Sequence, residues 1–227
     1  MADTPSNPAR SRSDFVQPHI VEYASAHSSG PDAVQAKLQR ETAEKTGGAS
    51  VMQIGDDQAV LMELVVRAMG AKRAIEVGTF TGYSALAIAK GLGPDGHLLC
   101  CDVSEEWTAI ARQHWIEAGV SDRIELKIAP ALDTLKALPP DPVIDFAFVD
   151  ADKPAYAAYY DELIPRLRQG GLLLADNTLQ SGNVTDAAHT NNNVVAMRAF
   201  NANVASDPRV RQVLVPIGDG VTFIQKL

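Results

Sequence analysis

Three short patterns place acidic and amide side chains where they could do chemistry. In chain order they are residues 76–82 (EVGTFTG), 149–153 (VDADK) and 175–177 (ADN). Each follows an apolar run that is typical of a buried strand. The first is a glycine turn preceded by an acid, and the other two supply oxygen ligands at strand exits. A nucleoside-binding turn followed by such ligands suggests a metal-assisted transfer from an adenosine-based cofactor.

The two later patterns contain candidate ligands for a hard cation. Asp150 ends one predicted strand, and Asp176 with Asn177 ends the next. In an open α/β sheet, ligands bind outside the carboxyl ends of the strands. Two carboxylates and one amide suit Mg²⁺, Mn²⁺ or Ca²⁺ and leave coordination positions for water or substrate. The alternative is that these residues only terminate strands, but their occurrence on two strands favours a metal site.

Lys153 follows the first of these acidic patterns directly. A lysine is usually a solvated surface charge, which is the alternative here. Beside a divalent cation, the charged ammonium is disfavoured. The neutral amine could then take a proton from a hydroxyl held on the metal. Lys153 and Asp150 are therefore the candidate catalytic residues, with Lys153 as the general base.

The glycine turn differs from the dinucleotide fingerprint, which needs glycines at the first, third and sixth places. Here the third place is Phe80 and the sixth is Tyr83. Glu76 also disfavours a phosphate and would suit a positively charged cofactor such as S-adenosylmethionine. The next predicted strand ends in Asp102, which can accept both ribose hydroxyls of an adenosine. The alternative is that both acids only cap turns and helices, but a pair flanking a glycine turn favours cofactor binding.

Three further residues are candidates for holding the cofactor. Ser84 follows the turn, although it is equally suited to the first turn of a helix. The backbone N–H of Ala131, after a predicted strand end, could meet an adenine. Asp152 lies beside Asp150 and could hold the cofactor rather than the metal. The five histidines form no metal-spaced pair, so they receive no role.

The composition is ordinary for a soluble globular protein, with 46% hydrophobic and 21% charged residues among 227. The net charge of −8, without a basic stripe, argues against a nucleic-acid partner. No apolar stretch approaches a membrane span, and the N-terminus lacks an apolar signal region, so we expect no membrane partner. The two cysteines, Cys100 and Cys101, are neighbours in an apolar run. Reduced core cysteines fit a cytoplasmic location.

Strands and helices alternate in the part of the chain that must position these residues. Residues 13–46 are predicted to form two helices broken near 28–31, and residues 56–69 carry apolar side chains at helical spacing. The alternation predicts a parallel sheet with helices on both faces. Strands are predicted at 73–77, 97–103, 123–129, 143–149 and 171–175, and helices at 84–91, 105–118, 131–137 and 154–168.

The two ends of the chain differ from this pattern. Residues 210–217 and 221–225, joined by a Gly-Asp-Gly turn, are predicted to form an antiparallel hairpin. Residues 1–12 are rich in Pro, Ser and Asn and are predicted to be disordered. Without an internal repeat or a linker, residues 13–227 are predicted to form one domain with N-terminal helices.

As a set, these patterns resemble the cation-dependent class I O-methyltransferases, which include plant caffeoyl-coenzyme A enzymes, animal catechol methyltransferases and bacterial relatives. The resemblance covers roughly residues 50–227. It implies a doubly wound, mostly parallel seven-stranded sheet with an antiparallel last strand, and a homodimer. The segments that match in order and spacing are EVGTFTGYS at 76–84, FVDADK at 148–153, DNT at 176–178 and PIGDG at 216–220.

The resemblance implies S-adenosylmethionine, a divalent cation and a small phenolic acceptor with two neighbouring hydroxyls. Residues 52–54 fall where relatives bring a segment over the cofactor, which adds Ile54 to the candidates. The chain departs from the family at Gln180, where many relatives carry a tryptophan near the acceptor. Two rival functions are a non-catalytic cofactor-binding protein of this fold and an NAD-dependent enzyme. The candidate cofactor residues are Glu76, Gly78, Thr79, Ser84, Asp102, Ala131, Asp152 and Ile54, and the candidate metal ligands are Asp150, Asp176 and Asn177.

Overall fold

A seven-stranded sheet forms the centre of the protein in a computed structural model, which describes residues 15–227. The strand order is β3-β2-β1-β4-β5-β7-β6. Strands β1 to β5 pair in parallel, whereas β7 runs antiparallel to both of its neighbours. The predicted fold class is therefore confirmed. The strands are β1 (Arg73–Val77), β2 (His97–Asp102), β3 (Ile124–Ile128), β4 (Ile144–Val149), β5 (Leu167–Ala175), β6 (Val210–Val215) and β7 (Val221–Lys226).

The helices connect these strands and precede the first of them. The disorder predicted for residues 1–12 lies outside the described residues. No helix between residues 15 and 227 combines the length and the apolar character that crossing a bilayer requires. The helices are α1 (Pro18–Ala26), α2 (Ala33–Thr46), α3 (Asp56–Ala68), α4 (Tyr83–Gly91), α5 (Glu105–Glu117), α6 (Ala131–Ala137), α7 (Tyr156–Arg166) and α8 (Asn192–Ser206).

The apolar core lies in two layers, one on each face of the sheet. Along β4, Phe146 and Phe148 belong to the layer that contains α3 and α4, whereas Ala147 and Val149 belong to the layer that contains α7 and α8. This division follows from the alternation of side chains along a strand. It explains why the central strands read as continuous apolar runs, because both faces of the sheet are covered.

Helix α8 was missed by the sequence analysis, which assigned no element to residues 192–206. The Asn191 side chain accepts the Asn193 N–H and caps the helix, as Asn commonly does. Four apolar residues at helical spacing are buried along one face. The preceding polar run obscured this periodicity. The buried residues are Val194, Met197, Phe200 and Val204.

The predicted helix over 154–168 was too long at both ends. Lys153–Ala155 forms a separate 3₁₀ turn before α7. Strand β5 begins at Leu167, directly after α7, rather than at the predicted Gly171. At the other end of these strands, the acid-bearing ends of β4 and β5 lie in register, because Val149 pairs with Ala175.

Candidate active site

A cleft of about 1410 Å³ opens at the carboxyl ends of the parallel strands. Small-molecule sites are typically about 300–1,000 Å³, so this one can hold a cofactor together with an acceptor. Glu76 is fully buried behind the cleft wall, and the other predicted site residues all line the cleft. The lining members of the predicted set are Ile54, Gly78, Thr79, Ser84, Asp102, Ala131, Asp150, Asp152, Lys153, Asp176 and Asn177.

Backbone hydrogen bonds continue beyond the ends of β1, β4 and β5 and align the site residues. The Asp150 N–H donates to the Val77 carbonyl at 2.8 Å, and the Asp176 N–H donates to the Val149 carbonyl at 3.0 Å. Parallel strands that end together present their next residues side by side. The sheet itself therefore brings Asp150 and Asp176 together.

At Gly78, the glycine turn approaches the end of strand β4 closely. Its φ is +89°, and a Cβ at this position would lie 2.0 Å from the Asp150 carbonyl oxygen. Any other residue would push the two strand ends apart and would also be strained at this φ. Gly78 is thus required by a neighbouring backbone, in addition to any contact with a ligand.

Asp102 holds the glycine turn through its backbone. Its Oδ2 accepts the Thr79 and Phe80 N–H groups, each at 2.8 Å, and its Oδ1 accepts the Ser104 N–H at 2.7 Å. Phe80 has a φ of +52°, which is unusual for a bulky residue and is stabilised by this contact. A carboxylate has about four acceptor positions, so Asp102 can fix the turn and still accept a ribose hydroxyl.

Glu76 is a fully buried carboxylate without a hydrogen-bond partner for either oxygen. Burial raises its pKa to about 8, and the nearby hydroxyls of Ser84 and Thr79 oppose that rise without forming aligned hydrogen bonds. An unpaired buried charge is costly. A cationic group with N–H donors, such as the ammonium of an amino-acid moiety, would satisfy it, so this residue fits the predicted cofactor.

Asp176 and Asn177, together with Asp150, form the predicted trio of metal ligands. Asp176 is 2% exposed, and burial, followed by the negative charge of Asp150, raises its pKa to about 7. Its Oδ1 accepts the Asn177 N–H at 2.8 Å, while Asn177 adopts a φ of +54°, which Asn tolerates better than most residues. Two neighbouring carboxylates and an amide are a donor set that fits a hard cation.

No cluster of three or more His, Cys, Asp or Glu side chains between residues 15 and 227 is arranged to hold a metal. A cation at the trio would therefore rely on the Asn177 amide as its third protein ligand. Amide oxygens are ordinary ligands of Mg²⁺ and Ca²⁺, so the donor chemistry of the trio suits these ions rather than zinc.

Lys153 reaches the trio, as the sequence predicted, but as an ion-pair partner. Its Nζ lies 2.9 Å from Asp150 Oδ1 and 2.8 Å from the hydroxyl of Tyr156. That hydroxyl lies 3.1 Å from the carbonyl oxygens of Val149 and Asp176. The fully buried Tyr156, which the sequence analysis missed, thus ties the lysine to both strand ends. Its position three residues after Lys153, at the start of α7, was the available signal.

The remaining predicted residues lie at the ends of helices around the cleft. Ser84 is in the first turn of α4, and Ala131 begins α6, where N–H groups lack intrahelical partners. Asp152 accepts a hydrogen bond from Tyr159 at 2.6 Å, another contact absent from the sequence analysis. Ile54 precedes α3, within a segment over residues 50–55 that forms one wall of the cleft.

Comparison with known proteins decides the family. The sequence model of a family described as O-methyltransferase matches residues 25–227. The chain belongs to the O-methyltransferase family. This confirms the resemblance found in the motifs and the prediction that the protein is an O-methyltransferase enzyme. It also decides against the two rival functions, a non-catalytic binding protein and an NAD-dependent enzyme.

Individual relatives agree with this family. A probable caffeoyl-CoA O-methyltransferase of Dictyostelium discoideum is 39% identical over 212 residues, covering 92% of this chain and 91% of that protein. A catechol O-methyltransferase domain-containing protein of Mus musculus is 37% identical over 189 residues, covering 82% and 71%. The crystal structure of the O-methyltransferase TomG from Streptomyces achromogenes, in complex with SAM, superposes with a TM-score of 0.83 at 27% identity, covering 92% and 96%.

Gln180 of this O-methyltransferase faces the protein rather than the cleft. Its Nε2 donates to the Asn177 carbonyl at 2.8 Å, and the next residue, Ser181, lines the cleft. Gln180 and Ser181 both have positive φ values, of 48° and 54°. The side chain at the position where the sequence departs from its relatives therefore supports the backbone of a predicted metal ligand.

Proposed function

We propose that this O-methyltransferase transfers the methyl group of S-adenosylmethionine to one oxygen of a small phenol with two neighbouring hydroxyls, and that it requires a divalent cation such as Mg²⁺. One observation carries the proposal. The unpartnered, fully buried Glu76 lies behind the wall of the cleft that the all-oxygen trio Asp150, Asp176 and Asn177 and the adjacent Lys153 line. The first matches a cationic cofactor, and the others match a chelating acceptor.

The proposal about the cofactor rests on the turn between β1 and α4. Glu76 would meet the ammonium group, Asp102 would accept a ribose hydroxyl, and the N–H of Ala131 would face the adenine. Gly78, Thr79, Ser84, Asp152 and Ile54 complete the proposed site. The complex of the similar TomG enzyme with SAM supports S-adenosylmethionine as the cofactor.

The chain's own residues then prepare the acceptor. When bound, the cation would supply Lewis-acid stabilisation of the acceptor oxygens, and the cofactor would supply the methyl group. In its neutral amine form Lys153 would take the proton of the acceptor hydroxyl and become the ammonium, while Tyr156 keeps its Nζ beside Asp150. The rigid strand ends orient the reactants, and orientation together with charge placement provides most of the acceleration.

A panel of acceptors tests this function. Catechols and matched phenols with one hydroxyl are incubated with S-adenosylmethionine, with and without a chelator, and products are detected by mass spectrometry. We expect methylation of the vicinal diols only, its loss on chelation and its recovery on adding Mg²⁺ or Mn²⁺. Full activity after exhaustive chelation would refute the cation requirement, and equal methylation of the single-hydroxyl phenols would refute the acceptor class.

We also propose that the enzyme forms a homodimer, in keeping with the family that its motifs resemble. Light scattering coupled to size-exclusion chromatography measures the mass in solution. A mass of twice that of the chain is expected at micromolar concentration, and a mass equal to that of one chain would contradict the proposal.

A further inference from the structure

The segment over residues 50–55, which forms one wall of the cleft, is buried unevenly. Val51 and Met52 in its middle are 69% and 45% exposed, whereas Ile54 near its end is buried. Burial of apolar side chains therefore contributes little to fixing the middle of the segment. Its position depends on how the two helices that flank it, α2 and α3, are held.

A network of polar side chains holds the start of α3. Asp56 is the first residue of this helix and directly follows the segment. Its Oδ1 accepts a hydrogen bond from the hydroxyl of Tyr83 at 2.6 Å. The Nε2 of Gln39, on α2, donates to the same Oδ1 and, at 3.0 Å, to the hydroxyl oxygen of Tyr83. Side chains from α2, α3 and α4 thus meet in one cluster.

Tyr83 belongs to this network and also lines the cleft. It directly follows the glycine turn, begins α4 and is buried. Burial, followed by the hydrogen bond to Asp56, raises the pKa of the Tyr83 hydroxyl, so the phenol stays protonated and acts as the donor. This hydroxyl therefore connects the helix that follows the glycine turn to the helix that follows the wall segment.

Helix α2, which precedes the wall segment, is also tied to the glycine turn. The Oγ1 of Thr42 donates to the Oγ1 of Thr81 at 2.8 Å, and both residues are buried. Thr81 lies within the turn and lines the cleft. Both helices that flank the wall segment are thus hydrogen-bonded to residues 81–83, so the segment and the glycine turn are held relative to each other.

We propose that Tyr83 is a positioning residue of the cofactor site, whose hydroxyl holds Asp56 at the start of α3 and thereby keeps the wall segment over residues 50–55 in its binding position. This inference rests on the cofactor site of the proposed function, which includes Ile54 of this segment. Without the hydroxyl, the segment would occupy its binding position for only a fraction of the time. The apparent affinity for the cofactor would fall by that fraction.

The substitution Tyr83→Phe removes this hydroxyl and keeps the ring. Binding of S-adenosylhomocysteine is measured by calorimetry, after thermal melting has shown that each variant is folded. We expect the dissociation constant to rise about tenfold, which corresponds to a segment in its binding position about a tenth of the time. Amide hydrogen exchange, followed by mass spectrometry, should also be faster at residues 47–55 of the ligand-free variant.

Tyr160→Phe is the matched control. Tyr160 is also buried, and its hydroxyl donates to Asp207 at 2.8 Å, but it does not line the cleft. Its loss of a hydroxyl bonded to a carboxylate should lower stability in the same way. The dissociation constant of S-adenosylhomocysteine should change less than about twofold in this control, because the contact is independent of the cofactor site.

A second variant tests the same contact from its other side. Asp56→Ala removes the acceptor and should also weaken S-adenosylhomocysteine binding, whereas combining it with Tyr83→Phe should add little, because the two act through one contact. Unchanged affinity in Tyr83→Phe, an equal loss in Tyr160→Phe, or additive effects of the two substitutions would overturn the role of Tyr83 alone. Absence of S-adenosylhomocysteine binding by the unsubstituted protein would overturn the proposed cofactor site, and this role with it.

Discussion

Glu76 and Asp176 are almost completely buried, and burial raises the pKa of each carboxylate above its usual range. The cleft offers them little compensation, because Lys153 pairs with Asp150 and Glu76 has no partner. At the residue scale, the protein alone therefore makes ionisation of both carboxyl groups costly. A cationic cofactor and a divalent cation would both relieve this cost.

The role of Lys153 is tested by Lys153→Met. Because positioned proton transfer typically contributes about 10²–10⁴-fold, we expect kcat to fall at least about 100-fold, with a much smaller change in KM. The measurement is kcat against pH for both proteins. Lys127→Met, which removes an exposed lysine paired with Glu125, is the control and should behave as the unsubstituted enzyme. An identical rate and pH profile for Lys153→Met would mean that Lys153 is not the base.

The dual role of Asp102 is tested by comparison with Asp145. Asp102 accepts the successive backbone N–H groups of Thr79 and Phe80. Asp145 accepts those of Lys72 and Arg73 in the same way, but it does not line the cleft. Asp102→Ala should lower both stability and affinity for S-adenosylhomocysteine, the latter roughly ten- to a hundredfold. Asp145→Ala should lower stability alone. Calorimetric titration decides, and an unchanged affinity in Asp102→Ala would restrict this residue to fixing the turn.

At the scale of elements, the site is assembled where strand ends touch. The turn after β1 meets the end of β4 at Gly78, and the loop over residues 177–182 after β5 is held by the loop before β7. In that second contact, the Thr178 N–H donates to the Gly220 carbonyl at 2.9 Å. The proposed cofactor half and metal half of the cleft therefore share one rigid frame of backbone contacts.

Gly78→Ala tests that frame against a matched glycine. Gly70 also has a positive φ, of 60°, but a Cβ there would meet nothing within 4 Å. Gly70→Ala should therefore show only the cost of a left-handed alanine, about 1–2 kcal/mol. Gly78→Ala should lose clearly more stability and should also weaken S-adenosylhomocysteine binding. Urea unfolding and calorimetry measure the two effects, and equal losses in both variants would contradict the close approach to Asp150.

At the scale of the whole molecule, folding buries Glu76 completely, and this residue is the proposed partner of the cofactor's ammonium group. The pKa of Glu76 rises from 4.5 to about 8 on folding. Between these values the unfolded chain has released a proton that the folded chain retains. The free energy of unfolding without ligands should therefore decrease as pH rises from about 4.5 to about 8. Above about pH 8, titration of Glu76 should cause no further decrease.

Comparing Glu76→Gln with the unsubstituted protein measures this effect. Urea unfolding at mildly acidic and mildly alkaline pH should show that the variant loses less stability over this interval. At alkaline pH, Glu76→Gln should bind S-adenosylhomocysteine more weakly than the unsubstituted protein does, because the neutral amide attracts an ammonium less than a carboxylate does. Equal pH dependence of stability in both proteins would show that Glu76 does not titrate in this range.

The alternation of apolar runs and turn residues in the sequence was enough to predict most strands, the parallel sheet and the antiparallel end. The same reasoning located the acids, because polar residues that directly follow buried parallel strands meet at one edge of the sheet. Lys153 and the trio lie in one cleft, as their positions after β4 and β5 indicated. These features depend on short-range periodicity and on the order of elements, both of which a single sequence displays.

Only the tertiary structure revealed the contacts between residues that are distant in the chain. It showed that Gly78 is required by the Asp150 carbonyl and that Asp102 holds the turn. It also showed that Gln180 turns away from the cleft and supports the Asn177 carbonyl instead. Such contacts are decided by distances and directions that packing sets, so residue type and spacing alone do not encode them.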